Sequence, residues 1–237
     1  VTHMSNVLGT VTPLKDIIVR AHAKGTPVLV DGCQGVVHEP VDVRALDVDF
    51  YAFTGHKLYG PTGIGVLYAK AAHLKAMRPF NGGGEMIREV SREKITYADA
   101  PARFEAGTPP IIESIGLAAA IDYLGKLDRA AVAAHEHDLL RYTRERLREL
   151  NWVRVIGDAP GKGAIISFET EGMHAHDVAT ILDREGVATR AGHHCAQPLM
   201  ERFGVASTTR ASFALYNTRA EADALIDALH KARKILG

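Results

Sequence analysis

Three largely apolar runs, residues 27–30, 48–53 and 64–68, are continuous rather than alternating. That is the pattern of strands buried on both faces of a sheet. Ahead of the first, Thr12-Pro13 offers a capping hydroxyl followed by proline at the first helical position, and predicts a helix to about Lys24 that Gly25 ends. Strand and helix alternating in this order predict an α/β fold. Residues 81–84, Asn-Gly-Gly-Gly, read as a flexible loop, and Pro109-Pro110 introduces a helix to about Leu124. A long helical pattern over 128–150 follows, then a strand at 164–168, a helix at 176–185 and a strand at 208–216. Thr218 and Glu221 have capping-box spacing and open a last helix to about Leu236. The pattern divides the chain into a large domain, residues 1–124, and a smaller α+β domain, residues 125–237.

Composition narrows the function classes. The 237 residues carry 28 basic and 28 acidic side chains, so no net charge marks a nucleic-acid or anionic-membrane surface. No apolar run approaches the roughly 18 residues of a membrane span. Two cysteines without paired spacing argue against a disulfide framework and predict a reducing, cytoplasmic setting. The charges of residues 141–149 read as a solvated helix face with ion pairs three or four residues apart, and His135 and His137 belong with them.

The chemistry gathers at strand ends, where ligands collect in α/β sheets. Lys57 leaves the 48–53 strand in Thr54-Gly55-His56-Lys57, among glycines and aromatics, and is expected to be desolvated and therefore nucleophilic. Asp31 ends the preceding strand in Asp31-Gly32-Cys33-Gln34. An acid and a lysine so placed are the pair that holds pyridoxal phosphate, one protonating the ring nitrogen and the other forming the Schiff base. Read blandly, Asp31 is a turn residue and His56 a satisfied core histidine. Cys195 lies between Gly192 and Pro198 beside His193 and His194, whose imidazoles are expected to favour its thiolate. A metal reading of His-His-Cys stays open but is weak, because adjacent side chains in an extended loop diverge. Arg210 opens an apolar strand, where an unpaired guanidinium would be costly.

These motifs, with Arg190-Ala191-Gly192-His193-His194-Cys195-Ala196-Gln197-Pro198 and Arg210-Ala211-Ser212-Phe213, together resemble a group II, SUF-type cysteine desulfurase, in the class V aminotransferase branch of fold-type I pyridoxal-phosphate enzymes. The likeness runs from Val1 to Gly237. It implies that the chain is the C-terminal portion of that fold, with a large N-terminal part, including a phosphate turn and a ring-stacking histidine, expected to be missing and the fragment alone inactive. It implies further that Lys57 and Cys195 are catalytic, and that Gln34 bonds the ring hydroxyl. Thr54 and His56 reach the phosphate, and Thr108 reaches the cofactor of a second subunit in a homodimer. Asn6 and Arg210 hold the carboxylate of L-cysteine, with Arg190 counted among the substrate-binding residues; by its place at the head of the Cys195 motif, Arg190 either orders that loop or is a plain surface residue. Cys33 reads as structural. The implied reaction yields L-alanine and a persulfide on Cys195, passed to a sulfur-acceptor protein of the SUF pathway for iron–sulfur cluster assembly. A selenocysteine lyase or other class V enzyme, and a non-catalytic sulfur-carrier or scaffold module, remain as alternatives.

Overall fold

Asp49 shows how the first sheet is anchored. It is 4 % exposed, accepts from the Val28 amide at 2.7 Å and pairs with His22 and His73 at 2.7 and 3.0 Å. Those hydrogen bonds hold its carboxyl well below the usual range despite the cost of burial. The computed structural model describes residues 1–237 and divides into two units, each described by itself.

The first unit comprises Val1–His3 and Pro13–Leu127. Helix α1 (Leu14–His22) turns Leu14 and Ile18 onto strands β1 (Leu29–Asp31) and β2 (Phe50–Thr54), where Val28, Val30, Val48 and Tyr51 complete a small core. Pro13 rather than Thr12 takes the capping position, with no side-chain cap bond, because the helix begins one residue later than Thr12-Pro13 suggests. Strands β1 and β2 are parallel, but β3 (Gly65–Ala69) runs antiparallel to β2. Val66 and Leu67 of β3 are exposed, so the expectation of strands covered on both faces fails there. Short helices α2 (Gly35–His38), α3 (Val43–Leu46) and α4 (Ala71–Ala76) connect the strands. A hairpin of β4 (Ile87–Val90) and β5 (Ile95–Tyr97) follows the glycine loop, and helix α5 (Ile111–Gly125) ends the unit.

The second unit comprises Met4–Thr12 and Asp128–Gly237. Asp128 caps helix α6 (Arg129–Arg148), accepting from the Ala130 and Ala131 amides. An antiparallel sheet in the order β6 (Val153–Ile156), β7 (Ile165–Thr170), β9 (Thr208–Ser212), β8 (Arg190–Gly192) packs with α6, α7 (Ala175–Arg184) and α9 (Arg219–Leu236). Ile166 and Phe168 of β7, Leu182 of α7 and Leu229 of α9 are fully buried in that core. Thr218 and Glu221 form the predicted capping box. Strand β9 stops at Ser212, short of the predicted 216, because Ala214 turns back to donate to Asn217. Helix α8 (Gln197–Phe203) was not foreseen, and neither were β6 and β8.

Candidate active site

In the first unit the turn after β1 is pinned from beneath. A methyl on Gly32 would lie 2.0 Å from the Tyr51 ring, and one on Gly35 would lie 2.1 Å from the His3 ring. Both positions therefore need glycine. Tyr51 and His3 are themselves buried and hydrogen-bonded at 2.9 Å, so neither ring is free to yield. The backbone of Asp31 is held on two sides, donating to the Val1 carbonyl and accepting from the His3 amide, both at 2.8 Å. The Asp31 carboxylate is exposed at the strand tip and accepts the Cys33 amide at 3.0 Å. Gln34, half-buried, takes the capping position ahead of α2 without a side-chain cap bond.

After β2 the chain makes a single 3₁₀ turn, Gly55–Lys57. Buried Gly55 accepts from the Leu58 and Gly60 amides, and a methyl there would meet Ile64 at 2.7 Å. Thr54 and His56 hydrogen-bond through Oγ1 and Nδ1 at 2.8 Å, which fixes both groups beside the lysine. Lys57 itself is exposed, so the expected desolvation does not occur: a one-turn helix at a strand end projects the long side chain outward. Lys57 and Asp31 nonetheless converge on one thiol. Burial and the Asp31 carboxylate push Cys33 up, while the Lys57 ammonium acts to lower it. No ion pair joins the two, so both the carboxylate and the amine stay exposed and unpaired with each other. Thr108 is exposed on the rim of a cavity shared with Glu85 and Glu105, while Pro110, not Thr108, takes the capping position of α5.

In the second unit, Arg190 of β8 and Arg210 of β9 are direct cross-strand partners. Like charges so placed repel, and neither arginine has a carboxylate partner. Arg210 is half-buried, donates through Nη1 to the Asn6 carbonyl at 2.7 Å and leaves a buried Nε without a partner. Burial and the Arg190 charge both act to lower its pKa. Two guanidiniums on adjacent strands with spare donors are an anion slot.

Strand β8 runs straight into the cysteine loop. His194 and Cys195 have φ of 54° and 60°, the left-handed region that costs non-glycine residues about 1–3 kcal/mol each. What holds them there is visible. Asn6 Nδ2 donates to the His194 carbonyl at 2.8 Å, and His194 Nε2 lies 2.9 Å from the Thr208 hydroxyl and 3.2 Å from its carbonyl. A carbonyl only accepts, so Nε2 carries the proton, and buried Nδ1 has no partner. Burial, then the Arg210 charge, lowers His194 to about 4, so it is neutral near pH 7. The expectation that both imidazoles lend Cys195 positive charge therefore fails for His194, which instead props the loop. Cys195 is exposed at its tip. Nothing in the sequence marked Thr208, Gly32 or Tyr51 as supports, because their partners are distant along the chain.

A model of the family described as aminotransferase class-V matches residues 1–225. A cysteine desulfurase of Dickeya dadantii is 55 % identical over all of this chain and 58 % of its own length. A probable cysteine desulfurase of Vibrio cholerae is 50 % identical over 99 % of this chain and 58 % of its own length. The solved structure of the cysteine desulfurase CsdA from Escherichia coli superposes with a TM-score of 0.96 at 44 % identity, covering 100 % of this chain and 59 % of that one. An apo cysteine desulfurase from Thermococcus onnurineus gives 0.95 at 38 %, covering 99 % and 59 %. The chain thus spans somewhat under three-fifths of the length of these relatives.

Proposed function

The chain belongs to the class V aminotransferase family, and on that footing we propose that its protein is a pyridoxal-phosphate-dependent cysteine desulfurase of the SUF type. The observation that carries the reading is the second unit's pairing of an acid-free Arg190–Arg210 slot with an exposed thiol three residues beyond β8. An α-amino acid with a sulfur side chain needs one group for its carboxylate and another for its sulfur. The first unit fits the cofactor: Asp31 and Lys57 act on the same thiol without pairing, and Thr54 and His56 are fixed beside the lysine.

Lys57 is the amine that tethers the cofactor, Asp31 keeps its ring nitrogen protonated, Gln34 serves the ring hydroxyl, and Thr54 and His56 bind its phosphate. Thr108 reaches the phosphate of a second subunit in a homodimer. Bound there, pyridoxal phosphate supplies an electron sink for the pair released when the substrate's α-proton leaves. The Lys57 amine would carry that proton, a role usually contributing about 10²–10⁴-fold. Arg210, with Asn6 and Arg190, fixes the substrate carboxylate, while the Asn6 amide also supports the Cys195 loop and its backbone carbonyl accepts from Arg210. The Cys195 thiolate donates its electron pair to the substrate sulfur. As the new sulfur–sulfur bond forms, the carbon–sulfur pair stays with carbon, which takes a proton and leaves as L-alanine. Sulfur is oxidised by two electrons and carbon reduced by two, so no outside oxidant is needed.

The persulfide is then passed to a small sulfur-acceptor protein of the SUF pathway and serves cytoplasmic iron–sulfur cluster assembly. The test is alanine release from L-cysteine by cofactor-loaded protein with a thiol reductant, run beside L-selenocysteine. Efficient turnover of L-cysteine supports the reading, and turnover of selenocysteine alone replaces it with a selenocysteine lyase.

A further inference from the structure

Within the second unit, the outer side of α6 and the loop 157–162 enclose a cavity of about 240 Å³, a size for a small ion with its waters rather than a drug-sized ligand. His137, Arg141, Arg144, Arg148, Glu145 and Lys162 line it. In sequence these arginines read as a solvated helix face, but Lys162 changes that. It is the largest side chain in the protein with almost no exposure, 1 %, and its stem lies against Gly9. Its ammonium has one acceptor, the Gly157 carbonyl at 3.2 Å, where three are needed.

Four cationic side chains therefore face two carboxylates. Glu145 is shared with Arg141 at 3.5 Å, and Asp158 bridges Arg144 and Arg148. The other acid near Arg141, Asp138, is already gripped through both oxygens by Arg219. Two positive charges remain uncompensated around the cavity. We propose that this cavity binds a small tetrahedral dianion, either free phosphate or the phosphoryl group of a small phosphorylated molecule.

Arg144 and Arg148 offer planar forks suited to such oxygens, and the exposed Asp158 carboxylate holds their place and swings out when the dianion arrives. Burial and the Arg144 charge lower Lys162 to about 8. The titratable and charged groups around it are Arg144, Arg148, Arg141, His137 and Glu145 from α6 and Asp158 from its own loop, while the neighbouring segment 4–12 carries none. A bound dianion restores the full charge on Lys162, so binding at pH 8 takes up about half a proton.

Calorimetric titration at pH 8 with sulfate, which carries no titratable proton there, in two buffers of different ionisation enthalpy measures that uptake. Saturable binding with proton uptake is expected, and Arg148→Ala, at an exposed position, should weaken it at least tenfold. Lys162→Met should abolish the uptake, and if that variant fails to fold, Arg148→Ala still decides the matter. Phenyl phosphate binding as well as inorganic phosphate assigns the site to a phosphorylated molecule, whereas inorganic phosphate alone assigns it to the free ion. Absence of saturable binding, or binding unchanged by Arg148→Ala, overturns the proposal and leaves the arginines as partners of the negative C-terminal end of α6.

Discussion

Buried His194 should make the protein lose stability on the acid side in a way that one substitution removes. Its pKa falls from the ordinary 6.5 to about 4 on folding, so between those values the unfolded chain holds a proton that the folded one refuses. Both states are neutral at pH 7.5, and stability from this residue is fully present there. At pH 5 the unfolded imidazole is mostly protonated and the folded one mostly not, which works out at about 2 kcal/mol lost. The residue is 3 % exposed, so solvent screening takes little from that figure. Urea denaturation at pH 7.5 and pH 5 measures it, with His194→Gln as the comparison, since glutamine can still donate to Thr208 but does not titrate. The wild type should lose about 2 kcal/mol more than the variant over this interval. Equal losses in the two proteins would show that His194 is not buried neutral, and the account of the Cys195 loop would go with it.

Three further outcomes follow from the packing. Gly32→Ala drives a methyl to 2.0 Å from the Tyr51 ring and should cost about 1–3 kcal/mol and weaken cofactor retention, whereas Gly84→Ala, with nothing within 4 Å, should do neither. Thermal unfolding and cofactor absorbance check the pair. Arg210→Lys keeps the charge but loses the fork, and by about 1.5–3 kcal/mol should raise KM for L-cysteine roughly ten- to hundredfold in steady-state assays, with a smaller effect on kcat. Phe168→Ala, at a position with no exposure in the second core, should cost about 3–5 kcal/mol by urea denaturation.

What could be read from the sequence was local. The capping box of Thr218 and Glu221 needs only four consecutive residues, and the apolar runs at Val30 and Phe168 need only a window of neighbours. The strands β6 and β8 are four and three residues long, too short for any period to show, and β8 includes a glycine. The orientation of β3 is set by its pairing with β2 and not by its own residues, and its exposed Val66 and Leu67 cannot be told from buried ones by type. At the candidate site the chemical residues stood out by kind, but their environments did not. Lys57 looked buried among glycines and aromatics yet projects from a single 3₁₀ turn. His194 looked like a source of charge until Thr208 and the surrounding burial made it a neutral prop. The contacts that decide such cases, Asn6 with His194 and Gly32 with Tyr51, join residues that no local pattern connects.

The most direct test is a single turnover with one equivalent of L-cysteine and no reductant, followed by mass spectrometry of the peptide holding Cys195. The account predicts one added sulfur on Cys195 for each alanine released, and no added sulfur on Cys33. Alanine formed in full by the Cys195→Ala variant, or sulfur found on Cys33 in its place, would contradict it.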